Sequence, residues 1–402
     1  RINGGELNMD GGAGVNNFLE YSASGNAVIE LSSGKLIVGS QLRRSLVSTS
    51  GILKYRQTGG RALFAKNATP NTTRGAFEII NAGSEFTFTG GEFVIERHIN
   101  SPIRPTLLLE PDNFTVGGRA IELGNASTPV NQNNFNVRSS ILLDSLVLAS
   151  VNVSSKVIGL PLNVNHLVIT NGALFDPNVY PLTINTSLTN NGTFSVTGTS
   201  QTTFFPSANT TTITGSGTTT FRNVDKAGTG TLLLEKDITA LSDVSITAGT
   251  INTQNFAFNI GKDLTFNTTH LSDPGGVGIV FNGSQKQKLL RTSPGTSFFS
   301  SIRLNNSEGL VIEATDLNFQ INQRLVLASG VFDIGGNLLT FTPTAVIEND
   351  LGNTTKDDFN INRMIQTNSS INDFGVRKLF NTVSSGNVTF TFPVGLIAYT
   401  PV

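Results

Sequence analysis

Gly217-Thr218-Thr219-Thr220-Phe221-Arg222-Asn223-Val224 and Gly295-Thr296-Ser297-Phe298-Phe299-Ser300-Ser301-Ile302 open two stretches that read almost alike. Each passes through a polar turn into an apolar strand, Leu232-Leu233-Leu234-Glu235 in the first and Leu310-Val311-Ile312-Glu313 in the second. Each then reaches a strand that ends at a glycine, Ile246-Thr247-Ala248-Gly249-Thr250-Ile251 and Leu327-Ala328-Ser329-Gly330-Val331-Phe332. The offset, roughly 80 residues, is too long for one coil of a solenoid and suits a few coils. The segment from His166 to Phe175, with its corner at Asn171-Gly172, reads as a third and more diverged copy.

Outward from this doubled stretch the chain keeps the same style. Ala27 to Val38, Ser45 to Tyr55 and Phe77 to Phe88 each hold an alternating apolar strand, a polar corner with glycine, and a second alternating strand. Alternation sends one set of side chains inward and leaves the other in solvent, and glycine permits a positive φ at the corner. No stretch carries capped helical periodicity over three turns. The expected fold is all-β, a right-handed parallel β-helix (β-solenoid) with irregular coils. The rival is a set of tandem β-sandwich domains built from hairpins, since Asn171-Gly172, Asn191-Gly192 and Asn282-Gly283 are hairpin-type dipeptides.

Four parts are expected. Residues 1–96 form β-solenoid coils, and residues 97–165 an irregular β segment with longer loops around Pro102, Pro105, Pro111, Pro129 and Pro161. Residues 166–345 form the repeat-bearing solenoid, and 346–402 terminal coils or the start of a further β-domain, with Asp350, Asp357 and Asp358 bringing charge and Pro393 marking a strand end.

Charged residues are only 14% of the 402 and the net charge is −1, which argues against a nucleic-acid or anionic-membrane partner. There is no cysteine, so disulfides, thiolate metal sites and cysteine nucleophiles are excluded. No apolar run reaches the ~18–20 residues a membrane-crossing helix needs. The chain opens at Arg1 without a signal peptide and stops at Tyr399-Thr400-Pro401-Val402 inside a strand-like run, which is expected of a piece of a longer exported protein.

The repeated stretch resembles large repeat-containing surface proteins and adhesins of Bacteroidota exported by the type IX secretion system. The resemblance rests on Phe281-Asn282-Gly283-Ser284-Gln285, Phe299 to Asn306, Gly309 to Ile312 and Leu325 to Phe341, in that order, and on Phe390-Thr391-Phe392-Pro393-Val394-Gly395 followed by Tyr399-Thr400-Pro401-Val402. It covers roughly residues 166 to 402. It implies export by the type IX machinery, an extracellular or outer-surface location, and a role as an elongated stalk or adhesin contacting surface glycans or other surface proteins.

For chemistry, the alternative is a polysaccharide-active β-helix enzyme, a lyase or hydrolase. Such an enzyme would gather carboxylates from neighbouring coils on one face, for Ca²⁺ or for acid/base work. The candidates are Glu110, Asp112 and Glu122 in the irregular segment, and Asp225, Glu235, Asp237 and Asp243 in the first repeat copy. Glu313 answers Glu235 and Asp316 lies near Asp237 in register, so these acids recur with the repeat, whereas a catalytic site is built once. His98, His166 and His270 are far apart, unlike zinc ligands, and no G-x-S-x-G nucleophile motif is present. His166 reads as a strand-end residue. Arg43-Arg44 and Gln285-Lys286-Gln287-Lys288 read as a solvated face. Asp144-Ser145-Leu146 resembles the short O-glycosylation acceptor of Bacteroidota. Asn-X-Ser/Thr triplets such as Asn67, Asn71 and Asn353 follow from composition.

The aromatics are 27 Phe against 4 Tyr and no Trp. Sugar platforms usually use Trp and Tyr, so Phe86, Phe88, Phe221, Phe256, Phe258 and Phe299 read as core filling. The expectation is a non-enzymatic protein with no catalytic, cofactor or metal residues and no cofactor, or else the passenger scaffold of a larger secreted protein. Any unique site belongs in the irregular segment between 97 and 165.

Overall fold

Strand Ile52–Phe64 shows the rule that builds the fold. Leu53, Tyr55 and Gln57 are buried, while Lys54 and Arg56 between them face outward. Its partners run parallel on both sides: Ile29 pairs with Tyr55 and Tyr55 with Phe86. Like side chains therefore stack above one another, and the Tyr55 and Phe86 rings lie 5.8 Å apart at 15°. A computed structural model describes the chain apart from residues 12–16, 23–25, 48–49, 68–72, 206–208, 294, 314–317, 350–358, 369–373, 382–388, 397 and 401–402. The described residues hold 37 strands and no helix, stacked in parallel ladders as a β-solenoid. The chain divides into two units, one of Arg1–Thr203 with Thr214–Thr219, the other of Phe204–Ile213 with Thr220–Val402.

In the first unit the corners are made by a column of glycines. Gly5, Gly34, Gly60 and Gly91 all have φ between +68° and +86°. A Cβ on Gly34 would sit 2.3 Å from Gly5 O, one on Gly60 2.7 Å from Gly34 O, and one on Gly91 2.2 Å from Gly60 O. Each corner thus presses its backbone onto the coil before it. Only a residue without Cβ meets both demands, the left-handed φ and the close approach. Inside, Phe64, Phe77, Phe86 and Phe93 pack with Tyr55, burying apolar area at roughly 25 cal/mol per Å².

In the second unit the doubled stretch occupies matching places in the coil. Leu232 and Leu234 of strand Thr231–Leu234, and Leu310 and Ile312 of strand Leu310–Glu313, are all buried. Gly249 and Gly330 turn their corners at φ +70° and +96°. Phe266, Phe299 and Phe319 form a stack with ring separations of 4.3 and 6.2 Å. Phe86, Phe88, Phe221, Phe258 and Phe299 are core residues as expected. Phe256 is half-exposed, at a turn where its N–H donates to Thr253 O. Parallel pairing continues in the terminal region, where Ile365 pairs with Phe332 and Val394 with Ile365. Asp350, Asp357 and Asp358 lie outside the described residues, as does Asp316.

The hairpin reading does not hold. The strand ladders among the described residues are parallel, and antiparallel contact is confined to the isolated bridges Asn360–Arg363 and Gly395–Tyr399. A two-residue type I′ hairpin turn needs positive φ at both central residues. Of the three Asn-Gly dipeptides only Gly172 has positive φ, and its asparagine does not.

Candidate functional site

Asp112, Asp237, Asp243 and Glu110 among the acids offered by the sequence are spent on the scaffold. In the second unit Asp237 Oδ1 accepts the Ala257 N–H at 2.8 Å. The Asp243 N–H donates to Asn223 Oδ1 at 3.3 Å, the Asp263 N–H to Asp243 Oδ1 at 3.3 Å, and the Lys288 N–H to Asp263 Oδ1 at 2.8 Å. The first two of these steps span 20 residues, one coil each. Short Asx side chains thus satisfy corner N–H groups that the ladders leave open. Asp225 is half-buried; burial pushes its carboxyl up, while the Ser245 hydroxyl and the Lys226 charge oppose this. Glu235 and Glu313 are both exposed, and Glu313 pairs with Lys288.

In the first unit Asp112 Oδ2 accepts the Gly83 N–H at 2.6 Å, and Glu110 pairs with Arg138. Burial raises the Glu122 carboxyl, Glu92 adds to this and Arg61 opposes it. Among the described residues no three of His, Asp and Glu are placed to hold a metal ion. The histidines stay apart. His98 Nδ1 accepts the Asn134 N–H at 3.0 Å, His166 lies inside strand Leu162–Ile169 with Nδ1 2.8 Å from Ser187 Oγ, and His270 is fully buried. Ser145 lies within strand Leu142–Leu148, paired with Ala120 and His166, so the Asp144-Ser145-Leu146 acceptor triplet is part of a ladder.

Of the two basic patches, Arg43-Arg44 is not a solvated face. Arg43 is 3% exposed, under the Phe18 ring at 3.9 Å and beside Glu20. Arg44 donates to Glu78 Oε1 at 2.6 Å. Lys286 and Lys288 do face water, and only the Gln287 between them is buried; its Nε2 donates to Ile260 O and Lys262 O, and its Oε1 accepts from the Gly283 N–H. Adjacent strand residues point to opposite faces, so a basic dipeptide in a strand puts one member toward the interior, where a partner must be supplied.

The irregular segment forms part of the wall of a cavity. A cavity of about 330 Å³ opens in the first unit, lined by Pro102, Ile103, Arg104, Arg138, Asn178 and Tyr180 among others. One wall is the loop 101–105. Buried Asn136 holds it, its Nδ2 reaching Pro102 O at 3.1 Å and Arg104 O at 3.3 Å. Thr106 Oγ1 accepts the Ile99 N–H and donates to Asn134 O. The opposite wall is the turn after Asp176. That buried carboxylate accepts the Asn178 N–H at 2.7 Å and the Thr197 hydroxyl, Asn178 turns the chain at φ +60°, and the Tyr180 N–H closes on Pro177 O. Between the walls Arg138 lies along Gly159, where a Cβ would stand 3.0 Å from Arg138 Cδ. Arg104 is exposed, and its guanidinium makes no hydrogen bond or ion pair among the described residues.

The sequence expectation reaches only one wall of this cavity, since Asn178 and Tyr180 lie outside residues 97–165. Tyr180 and Asn178 lie three coils further on, past those of Val137 and Val157, and only the stacking brings them to the same cavity as Arg104. The available signal was a single Arg between two prolines, Pro102-Ile103-Arg104-Pro105, and one of only four tyrosines after Pro177-Asn178. No known protein family matches the chain, and neither curated proteins nor solved structures show a match to it.

Proposed function

We propose that this chain is a non-enzymatic, exported cell-surface protein that serves as a stalk or adhesin and leaves the cell through type IX secretion machinery. The observation that carries the reading is the use of its carboxylates. Asp112, Asp237, Asp243 and Asp263 each accept a backbone N–H from another coil, so acids that could do chemistry are instead fixing coil to coil. Stability in such a stack adds up between neighbours, which suits a protein that spans distance and carries load. In the first unit Glu30, Arg56 and Glu85 alternate in sign across successive strands, a polar outer surface compatible with exposure to water.

The test is localisation. Antibody raised against the chain is expected to label intact cells of the producing bacterium, and labelling is expected to vanish, with the chain retained inside, when type IX export is disabled. Labelling that needs cell lysis would overturn the proposal.

One observation favours the polysaccharide-active alternative: Glu122, a half-buried carboxyl held above its ordinary range with Glu92 nearby, as a general acid would be. Purified chain incubated with acidic and neutral polysaccharides is expected to release no fragments. Release abolished by Glu122→Gln would establish the enzyme.

A further inference from the structure

We infer that the cavity between the Ile103–Arg104 loop and the Tyr180 turn is a binding site for a singly charged acidic sugar of the uronate class. The inference rests on the surface-protein reading only for where the sugar would be met. The geometry is independent of it. The volume of about 330 Å³ sits at the small end of the ~300–1,000 Å³ typical of small-molecule sites, suited to a compact ligand.

Charge selects the ligand. Two guanidinium groups line the cavity, but Arg138 is tied to Glu110. Arg104 therefore brings the one positive charge left uncompensated, and a single carboxylate matches it. A planar guanidinium with free donors grips a carboxylate by two parallel hydrogen bonds. The remaining lining gives the sugar ring its seat. Tyr180 is half-buried and offers an aromatic face with a polar edge, the pattern favoured where one side is apolar and the other wet. Ile103 is 77% exposed, an apolar side chain held out beside the arginine by a loop whose carbonyls Asn136 fixes. Asn178 adds an amide for hydroxyl groups. Both walls are braced by buried polar side chains, Asn136 on one and Asp176 on the other, so the site is largely formed before the ligand arrives.

The experiment is calorimetric titration of the purified chain with galacturonate, its methyl ester, neutral galactose and the singly charged non-sugar N-acetylalanine. Galacturonate is expected to bind, with the ester and galactose at least tenfold weaker. Arg104→Ala and Tyr180→Ala, with unchanged thermal melts, are each expected to weaken binding at least tenfold, and raising salt is expected to weaken the wild-type chain more than Arg104→Ala. Equal affinity for acid and ester, equal affinity for N-acetylalanine, no binding of galacturonate, or wild-type affinity in Arg104→Ala would each overturn the inference. Surface labelling of cells is read separately, so a protein found on the surface that ignores uronates removes this site and leaves the proposed function standing.

Discussion

Thr253 Oγ1 and His270 Nε2 lie 2.9 Å apart inside the second unit, where the histidine is fully buried and its Nδ1 has no partner among the described residues. The register places His270 beside Ile251 of the neighbouring coil. Burial disfavours the charged ring and pushes its pKa down to about 3, against an ordinary value of 6.5. The unfolded chain therefore binds a proton between about pH 6.5 and 3 that the folded chain refuses. Stability is lost as pH falls through that window. Wild-type urea midpoints are expected to fall from pH 7 to pH 4 more steeply than those of His270→Leu. Parallel pH profiles would show that another group controls the acid limb.

Lys226 sets the opposite limb. Its buried ammonium donates to Gly228 O and Ala248 O, each at 2.7 Å. Gly249 follows, at a corner where a Cβ would stand 2.2 Å from the same nitrogen. Desolvation brings the Lys226 pKa down to about 8, with Asp225 opposing the shift. Below about pH 8 the folded state carries the whole cost of the buried charge. The cost is relieved as pH rises from about 8 towards the unfolded value of 10.5, because there the unfolded chain binds more protons. The urea midpoint of the wild type is expected to rise between pH 7.5 and pH 10, and that rise is expected to be smaller in Lys226→Met. At neutral pH the variant leaves two carbonyls short of a donor, about 1–3 kcal/mol for each left buried and unmade. It also removes a buried charge, so the pH slope rather than the absolute midpoint is the readout.

Ion pairs in the first unit differ by their burial. Glu78 is 1% exposed and accepts from Arg44 at 2.6 Å, and its Oε2 also accepts the Gly75 N–H at 3.2 Å. Glu92 faces Arg61 at 3.2 Å with both side chains largely in water. Glu78→Ala removes the ion pair of a half-buried guanidinium, leaving it the neutral Asn81 Oδ1 at 3.1 Å, and is expected to cost about 3 kcal/mol or more. Glu92→Ala is expected to cost under about 1 kcal/mol, and less at high salt. Chemical denaturation of the two variants at low and high salt checks both, and similar losses would show that burial does not control the pairs.

How much of this was legible follows from what repeats. Leu232 and Leu310, or Gly249 and Gly330, serve the same place in the coil, so the pattern that marks one marks the other. The inward phenylalanines could be read the same way, because strand period and burial coincide. The buried polar residues were not legible. Arg43, Gln287, Lys226 and His270 look like surface residues by type, and each is inside because a particular neighbour accepts it: Glu20 and Phe18, Ile260 O, Ala248 O, Thr253. The cavity was half legible. Prolines marked the loop around Arg104, but the wall carrying Tyr180 comes from another coil, and which coil it meets depends on loop lengths that no local pattern encodes.

The glycine column separates two causes that usually act together. Gly60 has φ +68° and a Cβ there would lie 2.7 Å from Gly34 O; Gly118 has nearly the same φ, +65°, with nothing within 4 Å. An alanine at Gly118 therefore carries only the left-handed backbone cost, about 1–2 kcal/mol. At Gly60 the same cost applies, and the new methyl must also push the corner off the backbone of the coil beneath, where neither side has a flexible end to yield. Gly60→Ala is expected to lose at least about 2 kcal/mol more than Gly118→Ala in urea unfolding. Equal losses would mean that φ alone dictates glycine at these corners and that close stacking of the coils does not. A loss at Gly60 well beyond that at Gly118 would mark the column as the contact through which neighbouring coils of this unit set their spacing.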